Sequence, residues 1–245
     1  MLEDLDSLME AAGVDAIVAQ GNAFEVPDIF WLTGFRSPDS VIYVKNRGEK
    51  GVVAAYFHTL ERIKKEGHID ETLDLTELYS DLMKEGKRAS DHPEIVYGKV
   101  LGELFSGDVI GIPNHLPADV VLAIQGLGYP IKVTPDLVKD ARGTKSAREV
   151  KTIKKAGDAT VAAIKQVIDL INNTEIGPNK KLLHQKDPLT VGKLKFTLEH
   201  ALLDYGAESA EDAIAAVGKK GFDWHYLGRP GDVLKAGVPI ILDVF

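Results

Sequence analysis

Asp243, His225 and Arg36 are the side chains whose settings invite a chemical reading. Asp243 lies in "PIILDVF" (Pro239 to Phe245), where five of seven residues are aliphatic or aromatic. A carboxylate in a buried strand is costly unless it is paired. Its partner is then a cation, water on the open face of an edge strand, or a group outside this sequence. A turn or cap role at a strand end is the plainer alternative. His225 stands between Trp224 and Tyr226 in "FDWHYLGRPGDVLKAG", either as a functional imidazole or as part of a packed aromatic cluster. Arg36 follows "LTGF", where an arginine on a solvated loop is the simple reading. The other histidines, His58, His68, His92, His115, His184 and His200, show no H-x-x-x-H or H-E-x-x-H spacing and read as structural or surface residues. With no cysteine there is no thiolate nucleophile, disulfide or Cys-based zinc site. No G-x-S-x-G is present either, so any metal chemistry must draw on Asp, Glu and His.

These residues need a scaffold, and the composition describes an ordinary globular one. Hydrophobic residues make up 44% and charged residues 27% of 245 positions, a length that suits two domains. A net charge of -8 disfavours a broad nucleic-acid surface, and no nucleic-acid partner is expected. No apolar run reaches the roughly 18 residues of a membrane span, and no leader pattern opens the chain. A cytoplasmic protein without a membrane partner is the expectation.

The first half alternates helix and strand signals. Leu2, Leu5, Leu8, Met9 and Ala12 make a helical stripe closed by Gly13, and "DAIVAQ" follows as a strand. "SVIYVK" and "GVVAAYF" are β-branched runs joined by "NRGEK", which predicts an antiparallel hairpin. "DVIGI", "LPADVVLAIQGLG" and "PIKVTP" read as strand, helix and strand. The result is a mixed sheet flanked by helices. A boundary is expected near residue 143, dividing an α/β domain over 1–142 from an α+β region over 143–245. There Ser146 and Glu149 have capping-box spacing. Val150, Ile153, Gly157, Val161, Ile164, Ile168 and Ile171 then form the apolar stripe of a long helix. A second helix is expected over about Leu189 to Tyr205, followed by strands at "DAIAAVG", "GDVLKAG" and the buried "VPIILDVF".

"DIFWLTGF", "RGTKSAREVKTIKKAGDAT" and "GDVLKAGVPIILDVF", in that order, resemble the creatinase and prolidase branch of the pita-bread metallopeptidases. The resemblance implies an N-terminal creatinase-like α/β domain and the first part of a pita-bread α+β domain. It also implies a site of two divalent ions (Mn, Co, Zn or Fe) held by two aspartates, one histidine and two glutamates. Asp243 matches the first aspartate, and the other four ligands are not reached. The chain is therefore expected to be an incomplete, inactive part of the enzyme that binds no metal alone. His225 matches a histidine facing the reacting group, although Trp224 replaces the usual proline before it. Arg36 corresponds to a loop that approaches a neighbouring active site, which implies a substrate-binding role in a homodimer. The implied activity is cleavage before proline in short proline-containing peptides, as a prolidase-type dipeptidase or aminopeptidase. Two metals would supply an activated water. The alternatives are a creatinase-like amidinohydrolase or other aminopeptidase of this fold, and a non-catalytic peptidase-like binding module.

Overall fold

A computed structural model describes residues 2–245, and the chain divides into two compact units between Ser146 and Ala147. The division falls slightly beyond the expected 142/143 boundary. Helical structure continues to Gly143, and the single Thr144 hydroxyl proton is shared between Asp4 Oδ2 and the carbonyl of Ala141.

The first unit runs α1 (Leu5–Ala12), β1 (Ala16–Gly21), α2 (Pro27–Thr33), β2 (Val41–Asn46), β3 (Val52–Ala55), α3 (Phe57–Glu66) and β4 (Glu71–Asp74). It continues with α4 (Thr76–Lys84), α5 (Pro93–Leu104), β5 (Ile110–Ile112), α6 (Ala118–Gly126), β6 (Ile131–Val133) and α7 (Leu137–Gly143). Its sheet has the order β4-β3-β2-β1-β5-β6. β1, β2 and β3 are antiparallel neighbours, while β3–β4, β1–β5 and β5–β6 are parallel. The sheet is therefore mixed, as the sequence patterns predict.

Both faces are buried, which explains why β2 is apolar without alternation. Ile17, Ala19, Tyr43 and Val53 pack into one core with Leu5, Met9, Ile29, Leu32 and Ile63 from the helices. Val18, Ile42, Val44 and Ala54 pack into another with Val96, Tyr97, Val100, Val120 and Ile124. Period-two side-chain alternation sends neighbours in β1 and β2 to opposite cores.

One charge is held inside this unit. Lys45, on β2, has a side chain only 8% exposed and donates to Asp6 Oδ1 at 2.7 Å, Glu49 O at 2.7 Å and Asn46 O at 3.3 Å. All three ammonium protons thus have acceptors.

The second unit runs α8 (Ala147–Asn172), β7 (Glu175–Ile176), β8 (Leu182–His184), β9 (Asp187–Pro188), α9 (Val191–Asp204), β10 (Ile214–Val217) and β11 (Ile240–Asp243). Strands β7, β8 and β9 form a small antiparallel sheet, and β10 pairs with β11. Thr190 opens α9 by accepting from the N–H of Lys193 at 3.3 Å, an N-cap bond.

Three sequence expectations need correction here. "GDVLKAG" is not a strand: Val233 and Lys235 make only isolated bridges to Thr190 and Lys181. Leu234 donates to Leu189 O and accepts from Leu182 N, so this segment bonds to two neighbours in turn and builds no continuous ladder.

The stripe on α8 is also different. Val150, Ile153, Val161 and Ile168 are exposed, and the buried face is Ala159, Ala163 and Val167, with Ile164 and Ile171 at its border. Small side chains on that face let α8 pack against α9, which contributes Leu194, Leu198, Ala201 and Leu202 to the same core.

Finally, β11 is not a fully buried strand. Ile241 and Asp243 are exposed, while Ile240 and Leu242 are half-buried against the core. β11 pairs only with β10 in its sheet, so its outward residues meet water.

Candidate functional site

The register of the second unit's ribbon places Asp243 opposite Ile214, and Val217 opposite Ile240. Asp243 thereby sits at the end of β11 on its solvent face. Among the described residues its carboxylate has no ion pair or side-chain hydrogen bond. Its exposure to solvent is what makes a carboxylate tolerable in this apolar run.

His225 lies on the connection that leaves β10. A short 3-10 turn over Gly218–Phe222 follows that strand, and the chain then loops through residues 223–231 before returning towards β11. Asp223 Oδ1 accepts from the N–H of His225 at 3.0 Å, forming an Asx turn that sets the backbone there. The imidazole is exposed, as is Trp224, so His225 does not belong to a packed aromatic cluster. No hydrogen bond joins His225 to Asp243 among the described residues.

Gly228 seats this loop. Its φ is +87°, and an added Cβ would lie 2.1 Å from the carbonyl oxygen of Ala215 on β10 and 2.9 Å from Val191 Cγ1. Glycine is needed both for the left-handed backbone and for the close approach.

The same loop is fastened by a cluster that sequence reasoning did not single out. Asp232 accepts from Lys220 Nζ, from Tyr226 Oη at 2.6 Å and from the N–H of Arg229 at 3.3 Å. Lys220 also approaches Tyr226, with Nζ 3.3 Å from the phenol oxygen. Hydrogen bonds from Lys220 and then Tyr226 hold the Asp232 carboxyl below its ordinary value. The bond to Asp232 raises the Lys220 ammonium in turn. In the sequence Asp232 reads only as part of the strand candidate "GDVLKAG"; its partners are 12 and 6 residues away.

Beside this cluster is an open cleft of about 540 Å³ lined by Lys219, Lys220, Phe222, Asp223, Tyr226 and Arg229. Arg36 lies in the first unit, exposed, with its guanidinium carbon 4.5 Å from the Phe24 ring centre. That is a cation–π geometry. Among the described residues there is no group of three or more His, Cys, Asp or Glu able to hold a metal ion. The five-ligand set implied for two metals is therefore not met by these residues.

The first unit's mixed sheet and the second unit's paired helices and ribbon together are the fold of the N-terminal part of creatinase/prolidase-type peptidases. The chain is similar over 99% of its length to the prolidase of Pyrococcus horikoshii, at 17% identity and a TM-score of 0.70. It is similar over its whole length to the prolidase of Pyrococcus furiosus, at 16% identity and 0.72, and to the X-Pro aminopeptidase of Thermotoga maritima, at 17% and 0.65. It spans 59%, 65% and 60% of those three chains, respectively. No family model matches the sequence, and no curated protein matches it. Among the described residues, no helix is long and apolar enough to cross a membrane.

Proposed function

We propose that this chain is the N-terminal portion of a metal-dependent Xaa-Pro peptidase, with Asp243 as one metal ligand and His225 facing the substrate. The supporting observation is the likeness to prolidases and an X-Pro aminopeptidase over 99 to 100% of the chain. Asp243 suits a ligand role because its carboxylate is uncommitted at a strand end. His225 suits a substrate role because its imidazole is exposed on a loop fixed by Gly228 and Asp232. Arg36 is assigned to substrate binding, in a homodimer acting on short proline-containing peptides in the cytoplasm.

Two divalent ions, when bound, would activate water and polarise the scissile carbonyl. One carboxylate cannot position two ions, so the chain by itself is inactive on this reading. The test is hydrolysis of Ala-Pro and Gly-Pro with added Mn²⁺ or Co²⁺, comparing this chain with the product of its whole reading frame. Turnover on the order of 1 to 1000 per second is expected only from the latter, and should be abolished there by Asp243→Asn. Ordinary turnover by this chain alone, or an unaffected Asp243→Asn enzyme, would overturn the assignment. Absence of turnover from both would favour the non-catalytic binding module.

A further inference from the structure

The cleft beside the His225 loop is charged in an uneven way. Three cations line it, Lys219, Lys220 and Arg229, and they are not equivalent. Lys220 is committed to Asp232, which in turn is held by Tyr226 and the Arg229 N–H. Asp223 uses Oδ1 for the N–H of His225. The side chains of Lys219 and Arg229 have no hydrogen-bond or ion-pair partner among the described residues. Both are exposed at the cleft, and set against the Asp223 carboxylate, which accepts only a backbone N–H, they leave a net single positive charge there for a ligand.

The walls supply a second requirement. Phe222 is 84% exposed, and Tyr226 presents a ring held in place through its hydroxyl. An aromatic side chain so open at the lip of a cleft offers a face for stacking. The Lys220–Asp232–Tyr226 cluster holds the tyrosine wall before any ligand arrives, which lowers the ordering cost of binding.

We propose that this cleft binds a small organic oxyanion carried on a flat apolar body, with Lys219 and Arg229 meeting the charge and Phe222 and Tyr226 meeting the body. A guanidinium fork matches the two oxygens of a carboxylate or phosphate. The depression, about 540 Å³, is largely open to solvent, so it suits a small ligand held at the surface by its charge and one stacked face. The site does not rest on the peptidase reading: it lies wholly within the second unit and needs no metal.

The chain can be titrated directly with benzoate, phenyl phosphate and the neutral analogue benzamide, following backbone amide shifts over residues 219–229. Saturable shifts with at least one anion are expected, with benzamide weaker by about tenfold or more. The exposed Lys219→Gln and Arg229→Gln changes together should weaken the anion by roughly tenfold, with the amide spectrum elsewhere unchanged as proof of folding. Added salt should weaken the anions and leave benzamide unaffected. The tighter of the two anions identifies the ligand's oxyanion as carboxylate or phosphate ester. Benzamide binding as tightly as the anions, a double variant within twofold of the parent, or no saturable shift with either anion would each overturn the proposal.

Discussion

The two units solve the burial problem differently. In the first, the four inner strands of a six-stranded sheet, β3, β2, β1 and β5, are covered on both faces, and β2 exposes only a small fraction of any of its residues. In the second, a two-stranded ribbon and a three-stranded miniature sheet lie in a unit with one core, while Val150, Ile153, Val161 and Ile168 stand in water. A sheet enclosed by two layers makes each side chain dependent on many others; an open ribbon concentrates its order in a few ties. The first unit should therefore lose stability through packing defects, and the second through damage to its loop fastenings. Hydrogen exchange distinguishes the two, because it reports opening segment by segment.

The largest effect is expected from Ile110→Ala. Ile110 is fully buried between β1 and β6, and truncation there should cost about 2 to 5 kcal/mol. Urea unfolding followed by exchange should show the loss in residues 2–146. A cost below about 1 kcal/mol would mean that the first unit is no more tightly packed than the second.

Gly228→Ala comes next. The Cβ would meet Ala215 O, and the left-handed backbone adds strain, for a cost of about 1 to 3 kcal/mol. Faster exchange should be confined to the second unit and centred on residues 214–232. Uniformly unchanged exchange would show that the loop is not seated on β10.

Acid should act on both units through single carboxylates. Asp15 accepts from the N–H groups of Asp108 at 2.9 Å and Val109 at 3.0 Å, and these two bonds, with Arg47 nearby, hold it below the usual carboxylate range. Asp232 is held low by Lys220 and Tyr226. A carboxyl depressed on folding stabilises above its unfolded pKa, about 4, and that contribution disappears as pH falls through the lower folded value. Asp15→Asn and Asp232→Asn should each lower the urea midpoint at about pH 6 and shrink the loss seen on moving to about pH 3. A loss of undiminished size in both variants would place acid sensitivity elsewhere.

The smallest effects should follow Asp243→Asn and Ile153→Ala. Both side chains are exposed, so stability should stay within about 0.5 kcal/mol of the parent. A larger loss at Asp243 would make it a structural residue and remove the reason for assigning it to a metal.

Much of the first unit was legible because local pattern and tertiary demand agree there. "DAIVAQ" became β1, "SVIYVK" and "GVVAAYF" became an antiparallel pair, and Gly13 closes α1 with φ of 63°. β4, "ETLD", was not legible, since charges occupy both its ends and parallel pairing to β3 supplies its order. The small sheet was hidden for another reason: its turn uses Gln185 and Lys186 at φ of 53° and 73°, with no glycine to announce it. On α8 the periodicity was right for a helix and wrong about the face, because alanines buried by α9 carry little hydrophobic signal. Asp243 and His225 could be placed on their elements from the sequence order. The Tyr226–Asp232–Lys220 ties could not, because they close across a loop whose path no residue pattern specifies.

Lys45 carries a practical consequence. With its ammonium bonded to Asp6, Asn46 and Glu49 and its side chain nearly enclosed, its nitrogen is out of reach of an acylating reagent. Surface amines such as Lys84 and Lys139, 72% and 76% exposed, have no such shelter. In a time course of acetylation read by peptide mass, Lys45 would be the late-labelled amine. Its labelling rate would then clock how often the β2–β3 turn opens, a measurement that needs neither a mutation nor an attached dye.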